Sequence, residues 1–231
     1  MSIDHLSQEE IKAEQARFMT KVYGWMSGAL ILTGLIAAWV ANTEAIISVI
    51  FSNRLYFYGL LIAEFACVAY LSAVIGKIRA NTAITLFLGY AVLNGLTFSV
   101  IFLAFTAASI ATTFYITAGT FGVMSMYGYY TKTDLTSVGN IAFMGLIGII
   151  IASVVNFFFQ NEMLYWIVTY AGVLIFVALT AYDTQKIKQL NIIGNEGTEE
   201  DTKEAVMGAL TLYLDFINLF LFLLRLFGRR K

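Results

Sequence analysis

Two aspartates near the C-terminus lie within or directly after apolar stretches, and they are the residues best placed to do chemistry. Asp215 lies in the middle of the apolar run 207–228, and Asp183 directly follows the preceding run. A charged carboxylate at membrane depth costs several kcal/mol, so such a residue is by default a functional hypothesis that requires a partner. Asp183 is the first partner to consider for Asp215.

Two carboxyl groups within hydrogen-bonding reach of each other, in a site of low dielectric constant, do not ionise together easily and share one proton. The protonated pair can join two helices by a hydrogen bond, whereas the ionised pair repels or binds a cation. A nearby Lys77 or Arg79 would instead bridge the ionised pair and stabilise a closed state. Asp183 and Asp215 are therefore predicted to form a proton-operated latch.

Each aspartate also has a structural alternative. Asp183 is spaced to pair with Lys186 at i,i+3 on one helix face. Asp215 is in reach of a structural salt bridge with Arg225 or Lys77. These alternatives stay open at the level of the sequence.

The composition indicates an integral membrane protein. Of the 231 residues, 59% are hydrophobic and 13% are charged, against about 25% charged residues in an average soluble domain. The net charge of -1 gives no basis for binding nucleic acid, and the single cysteine, Cys67, excludes disulfide frameworks and thiolate clusters. We expect one polytopic unit in a lipid bilayer, without a separate catalytic domain.

Seven windows are apolar and long enough to span a bilayer as helices, which takes about 20 residues. They cover about 22–41, 55–76, 82–106, 110–130, 138–159, 164–182 and 206–228. Residues 1–21 are polar, residues 22–228 form the transmembrane domain, and 229–231 form a basic tail. The first window is too long for the apolar region of a cleaved signal peptide, so it is predicted to be a retained span.

The basic residues of the loops place the N-terminus in the cytoplasm, because cytoplasmic loops are enriched in Lys and Arg. With that orientation nine loop Lys and Arg lie inside and one, Arg54, lies outside. The C-terminal cluster from Arg225 to Lys231 conflicts with this pattern, because a full seventh crossing places it outside. Either the last window re-enters without crossing, or the short tail breaks the rule.

The last window carries a polar stripe, which a lipid-facing helix would not. Asp215, Asn218, Phe222 and Arg225 fall on one helical face, and polar groups at membrane depth turn toward protein or water. We therefore expect an all-α fold of seven transmembrane helices with the last helix central in the bundle. The glycines of Gly24-x-x-x-Gly28 and a series from Gly139 to Gly148 are predicted to let helices pack closely.

No enzyme motif is found. The sequence has no phosphate-binding glycine loop, no paired-histidine zinc helix and no Gly-x-Ser-x-Gly, and its single histidine, His5, lies in the polar N-terminal segment. An intramembrane aspartyl protease needs Gly-x-Gly-Asp around an aspartate, and neither Asp183 nor Asp215 has it. We expect no enzymatic activity and no cofactor.

Three segments resemble the Bax inhibitor-1 family, also called the transmembrane BAX inhibitor motif family. They are Leu179–Lys188 around the first aspartate, Gly208–Leu221 around the second, and Asn94-Gly-Leu-Thr97 in the third window. The similarity covers about residues 20–228, and the segment around Asp215 is highly specific. The polar N-terminus and basic tail are similar to those of bacterial members.

The resemblance implies a fold in which six helices surround the seventh, and a calcium-leak pathway with a pH-sensing aspartate pair at its cytoplasmic end. The positions that match the pair are Asp183 and Asp215, which are also the residues expected to meet calcium. An arginine of the second helix interacts with the pair in the family, and the matching position here is Arg79 or, alternatively, Lys77.

The ion pathway is assigned to Glu64, Asn94 and Asn218. Glu64 matches an acidic position of some family members, and its place inside the second window suits a structural role as well. One geometric difficulty concerns the aspartate pair: Asp215 lies about 12–14 Å beyond the start of its window, at 1.5 Å per residue, whereas Asp183 is at the end of its own. A longer sixth helix would remove much of this gap.

The sequence and the resemblance together predict a pH-sensitive calcium leak channel of the bacterial inner membrane, with calcium as the transported ion. The alternative is a non-conducting regulator that binds other membrane proteins, such as proteases. A proton-driven transporter is a third hypothesis. Against it, the windows lack the pair of short, broken helices in matching halves that marks transporter sites.

Overall fold

The computed structural model describes residues 7–231, apart from the side chains of Phe51 and Arg54, and this part of the chain is helical. His5 lies outside the described residues. The helices are α1 (Gln8–Ala41), α2 (Glu44–Ser52), α3 (Arg54–Val74), α4 (Ala80–Ala104), α5 (Ala107–Tyr130), α6 (Thr136–Phe159), α7 (Glu162–Leu190) and α8 (Glu199–Phe227).

Seven of these helices, all except α2, are long and apolar enough to cross a membrane. This confirms the predicted number of spans. Helices suit a bilayer because they satisfy every backbone hydrogen bond within one segment. The most apolar window of α8 is 67% buried, against at most 33% in the other six helices. The prediction that the last helix is central is therefore confirmed.

Three helices extend well beyond their apolar windows. The first begins at Gln8, where Ser7 and Glu10 form a capping box; α7 continues to Leu190 and α8 already begins at Glu199. Hydropathy identifies only the part of a helix that lies in lipid, so polar helical turns in water escape it. The nine-residue helix α2 was also missed, because it is too short to span a bilayer.

By its internal contacts the chain forms two compact units. The first unit comprises the chain up to Ala104, Leu190–Tyr213 and Lys231. In this unit the fully buried Tyr213 of α8 packs edge-on against Phe87 and Tyr90, with ring centroids 5.9 and 5.8 Å away. Its hydroxyl group is 2.7 Å from Thr33 Oγ1 of α1, so one residue ties α8 to two helices.

Within the first unit, a hydrogen bond to the last helix or to the C-terminal residue is formed at each end of α4. At the start of α4 the Ala80 amide donates to Glu199 Oε1 (2.8 Å), and at its end the Lys231 amide donates to the Ala104 carbonyl (3.0 Å). The start of α8 and the C-terminal residue therefore each contact one end of α4.

The connection between α7 and α8 is bound to the first helix by charged groups. Arg17 forms an ion pair with Glu196 (2.7 Å), and Lys21 one with the buried Asp201 (2.6 Å). The Gly194 amide donates to Glu14 Oε1 (2.7 Å). The hydrogen bond from Arg17 holds the pKa of the exposed Glu196 below its usual range. These contacts fix the point at which α8 begins.

The second unit comprises Phe105–Gln189 and Leu214–Arg230, and close helix contacts hold α7 within it. A Cβ atom placed on Gly128 of α5 would overlap the carbonyl oxygen of Ala181, and one on Gly139 of α6 would lie 2.5 Å from the ring of Tyr182. Glycines at these positions let α5 and α6 approach the segment of α7 that carries Asp183.

The predicted glycine packing is confirmed only in part. Close contacts surround Gly139 and Gly145, but a Cβ atom on Gly24, Gly28 or Gly148 would meet nothing within 4 Å. The spacing of small residues does not say which face of a helix meets another helix, and the face of α1 that carries Gly24 and Gly28 has room for side chains.

Candidate functional site

Asp183 lies inside a helix rather than at its end. The sixth span, α7, continues for seven residues beyond Asp183 to Leu190, which corresponds to about 10 Å of helix. The predicted depth mismatch was counted from a helix end at 182 and a helix start at 206. The start of α8 moves back as well, to Glu199, so a count from the helix ends leaves the mismatch in place, and the interaction between the two side chains is what removes it.

The carboxyl groups of Asp183 and Asp215 interact with each other in the second unit. Asp215 is only 5% exposed, and its Oδ2 atom is buried without a hydrogen-bond donor among the described residues. Ionised carboxylates only accept hydrogen bonds, so the two groups can bond to each other only when at least one is protonated. The geometry suits a shared proton.

A basic residue of α7 itself acts on the pair. Lys186 acts electrostatically on Asp183 from one helical turn away, while its ammonium group lies 5.6 Å from the centre of the Tyr182 ring. The structural alternative of an i,i+3 interaction with Lys186 thus coexists with the aspartate contact. Beside Asp183, Thr184 donates to Ser125 Oγ of α5 (3.3 Å).

Two further residues of α7 fasten its polar end to the connection between α5 and α6. Gln185 accepts a hydrogen bond from the Leu135 amide and donates to the Thr133 carbonyl, both at 2.9 Å. Lys188 donates to the Tyr129 carbonyl (2.9 Å) and lies 4.4 Å above the Tyr129 ring. Neither residue was singled out from the sequence, although Gln185 is a polar side chain on the same buried face as Ala181 and Thr184.

Replacing Gln185 with leucine should lower the free energy of unfolding by about 1–3 kcal/mol, because it leaves a buried amide and a carbonyl without partners. Thermal unfolding of the detergent-solubilised protein measures the effect. The matched control is Gln189→Leu, at an exposed position in the last turn of the same helix, which should change little. Equal unfolding temperatures for the two variants would contradict the anchoring role of Gln185.

The residues of the predicted polar stripe on α8 lie in different environments. Asn218 is half-buried and donates to the Leu214 carbonyl of its own helix (2.8 Å). Arg225 is exposed, and its guanidinium group lies over the rings of Phe222 (5.2 Å) and Tyr165 (6.0 Å). Among the described residues no ion pair joins Arg225 to Asp215. Asp215 is thus the residue of the stripe that meets another carboxyl group.

The other predicted site residues belong to the first unit. Glu64 of α3 is half-buried and accepts a hydrogen bond from Thr97 Oγ1 of α4 (2.5 Å), and the buried Asn94 donates to the Tyr90 carbonyl (3.3 Å). Lys77 and Arg79 are exposed in the connection between α3 and α4. Their prediction as the counter-charge of the aspartate pair stays a prediction.

The aspartate pair is not part of a larger cluster of metal ligands. Within residues 7–231 there is no group of three or more His, Cys, Asp and Glu side chains arranged to hold a metal ion. The pair offers up to four carboxylate oxygens, whereas calcium takes six to eight oxygen ligands. The two aspartates alone therefore do not complete a calcium coordination shell.

Comparison with known proteins identifies the family. Residues 15–231 match the family model described as "Inhibitor of apoptosis-promoting Bax1". The chain is 54% identical to inner membrane protein YbhL of Escherichia coli K12, over 93% of this chain and 92% of the relative. It is 46% identical to an uncharacterized protein of Borreliella burgdorferi, over 93% of both chains. With its seven apolar helices, this chain is a multi-pass inner membrane protein that belongs to the Bax inhibitor-1 family.

Proposed function

We propose that this protein is a pH-sensitive calcium leak channel in which Asp183 and Asp215 form the gate. The observation that carries the proposal is the contact between two carboxyl groups, one of them buried, on neighbouring helices of the second unit. A pair of this kind changes its interaction from attraction to repulsion when it loses its proton. A change in pH therefore changes the interaction between α7 and α8.

The sign of the pH dependence follows from this chemistry. When the pair holds a proton, a hydrogen bond joins α7 to α8 and the pathway is closed. When the proton leaves, two carboxylates repel at short distance and the helices separate. The leak should therefore increase as pH rises, and the ionised pair attracts the calcium ions that pass.

The remaining assignments form part of the same proposal. Glu64, Asn94 and Asn218 contribute oxygen atoms to the ion pathway, and Arg79 or Lys77 supplies a counter-charge that limits the repulsion of the ionised pair and so opposes its opening at high pH. The N-terminus is cytoplasmic, in accordance with the excess of basic residues in the loops on that side. No cofactor takes part.

Purified protein in liposomes tests the proposal. Calcium entry into vesicles that contain a calcium-sensitive dye should exceed entry into empty vesicles and should rise between about pH 5 and pH 8, the usual range of such switches. Flux equal to that of empty vesicles at every pH would contradict the channel function and favour the alternative, a non-conducting regulator. In that case, capture of other membrane proteins by the full chain becomes the relevant assay.

A further inference from the structure

We propose that three arginines at the end of the last helix form a binding site for the phosphate groups of anionic phospholipids. They are Arg225, Arg229 and Arg230, the arginine cluster, and all three lie in the second unit. The cluster conflicts with the loop charges of the predicted orientation, and the proposed channel gives it no role. The inference is independent of the channel function.

The protein itself does not neutralise the arginine cluster. All three residues are exposed, and within residues 7–231 no ion pair involves any of them. Glu162, one turn before Tyr165 at the start of α7, is the acidic residue at this end of that helix, and it forms no ion pair with Arg225. The guanidinium group is a planar fork of donors that matches a phosphate group. The cluster therefore presents three positive charges that are open to phosphate.

Backbone contacts fix the segment that carries the last two arginines. The Thr106 amide donates to the Arg229 carbonyl (3.1 Å), and the Arg229 amide donates to Ser109 Oγ (3.0 Å). Arg230 forms an antiparallel bridge with Phe105. These contacts use the backbone of the tail and leave the guanidinium groups unoccupied. A backbone that is already ordered loses less entropy when a ligand binds.

The surroundings of Arg225 place the cluster at the level of lipid headgroups. Its guanidinium group lies 5.2 Å from the centre of the Phe222 ring and 6.0 Å from that of Tyr165. Tyr165 and Trp166 stand where the apolar part of α7 begins, and aromatic residues at the ends of spans lie at the headgroup level. Phe227, the last residue of α8, is 53% exposed, so apolar surface for acyl chains adjoins the charged groups.

This combination favours a phospholipid over a soluble anion. A free phosphate ion uses the positive charges but gains nothing from the exposed apolar side chain beside them. Clusters of basic residues at the end of a span attract lipids with a net negative charge, whereas a zwitterionic lipid brings a positive group as well as its phosphate. The ligand is therefore an anionic phospholipid, such as phosphatidylglycerol.

Native mass spectrometry of the full chain in detergent tests the proposal by counting bound lipids. The wild-type protein should bind phosphatidylglycerol more tightly than phosphatidylcholine with the same acyl chains. The double variant Arg229→Gln/Arg230→Gln keeps the backbone contacts and should weaken phosphatidylglycerol binding about 25-fold, at about fivefold for each basic side chain. Its binding of phosphatidylcholine should not change.

The control is Lys12→Gln/Lys132→Gln, which removes two exposed basic residues outside the cluster and gives the same net charge. It should bind phosphatidylglycerol like the wild-type protein. Equal binding of the two lipids by the wild-type protein, or an equal loss in both double variants, would overturn the proposal. Gel filtration checks folding, and the single variant Arg230→Gln, with an expected fivefold loss, replaces the double variant if that does not fold.

A competition experiment separates the lipid from a soluble phosphate ester. Glycerol phosphate carries the same phosphate chemistry without acyl chains, and it should not displace phosphatidylglycerol at equal concentration. Displacement would show that the cluster binds soluble phosphate esters and would overturn the assignment to lipid. None of these measurements involves calcium flux, so a negative result leaves the proposed channel untouched.

Discussion

Asp215→Asn should hold the calcium leak close to its acid-pH level at every pH between about 5 and 8. The asparagine amide donates a hydrogen bond to the Asp183 carboxylate without requiring a proton. It therefore maintains the link between α7 and α8 under conditions in which the wild-type pair repels. The ratio of flux at pH 8 to flux at pH 5 should fall to about one, whereas the wild-type ratio should be well above one.

The control for this variant is Asp134→Asn, which neutralises an exposed aspartate in the connection between α5 and α6. In the folded protein Thr136 holds the pKa of Asp134 below its usual range through hydrogen bonds, so this group stays ionised between pH 5 and 8. Its replacement should leave the pH profile unchanged. A full wild-type pH profile in Asp215→Asn would show that another group senses the protons.

Gly128→Ala adds a single methyl group and should clearly destabilise the fold. The added Cβ atom would overlap the carbonyl oxygen of Ala181, and it would also lie 3.0 Å from the Ala181 Cα atom. The obstacle is backbone, so no flexible side chain can move aside, and α5 must separate from α7. Overpacking of this kind costs about 1–3 kcal/mol and occasionally more, which thermal unfolding in detergent should detect.

The matched control is Gly122→Ala on the same helix, where an added Cβ atom meets nothing within 4 Å. Alanine is the better helix former by up to about 1 kcal/mol, so this variant should unfold at the same or a higher temperature. The two alanine variants therefore shift stability in opposite directions. Equal stability of Gly128→Ala and wild type would mean that α5 and α7 are not in close contact at Ala181.

The sequence predicts the spans well and singles out the two aspartates, because both depend on a strong local signal. Apolar windows of about 20 residues mark helices in lipid, and Asp215 stands out because it interrupts one. The ends of α7 and α8 were set too narrowly, since the helical turns around Lys188 and Asp201 are polar and lie outside the apolar windows. That error does not account for the apparent depth mismatch of the pair, because the end of α7 and the start of α8 both shift by a similar number of residues.

The surroundings of the site depend on tertiary contacts that no local pattern encodes. The ring of Phe216 is one apolar residue among many in its window, and only packing shows that it lies between two phenylalanines of α5. The same holds for the close approach at Gly128, whereas the more conspicuous Gly24 and Gly28 have free space around them. Helix periodicity gives the faces of each helix, but not which face meets which helix.

The most direct test of the account is to observe the shared proton by infrared difference spectroscopy. Spectra of the protein in lipid, recorded while pH is raised from about 5 to 8, report the carbonyl stretch of protonated carboxyl groups. A band of this kind should be lost over the pH range in which calcium flux rises. The pH-dependent loss of that band should be absent from both Asp183→Asn and Asp215→Asn. An unchanged loss of the band in either variant would contradict a proton shared between these two residues.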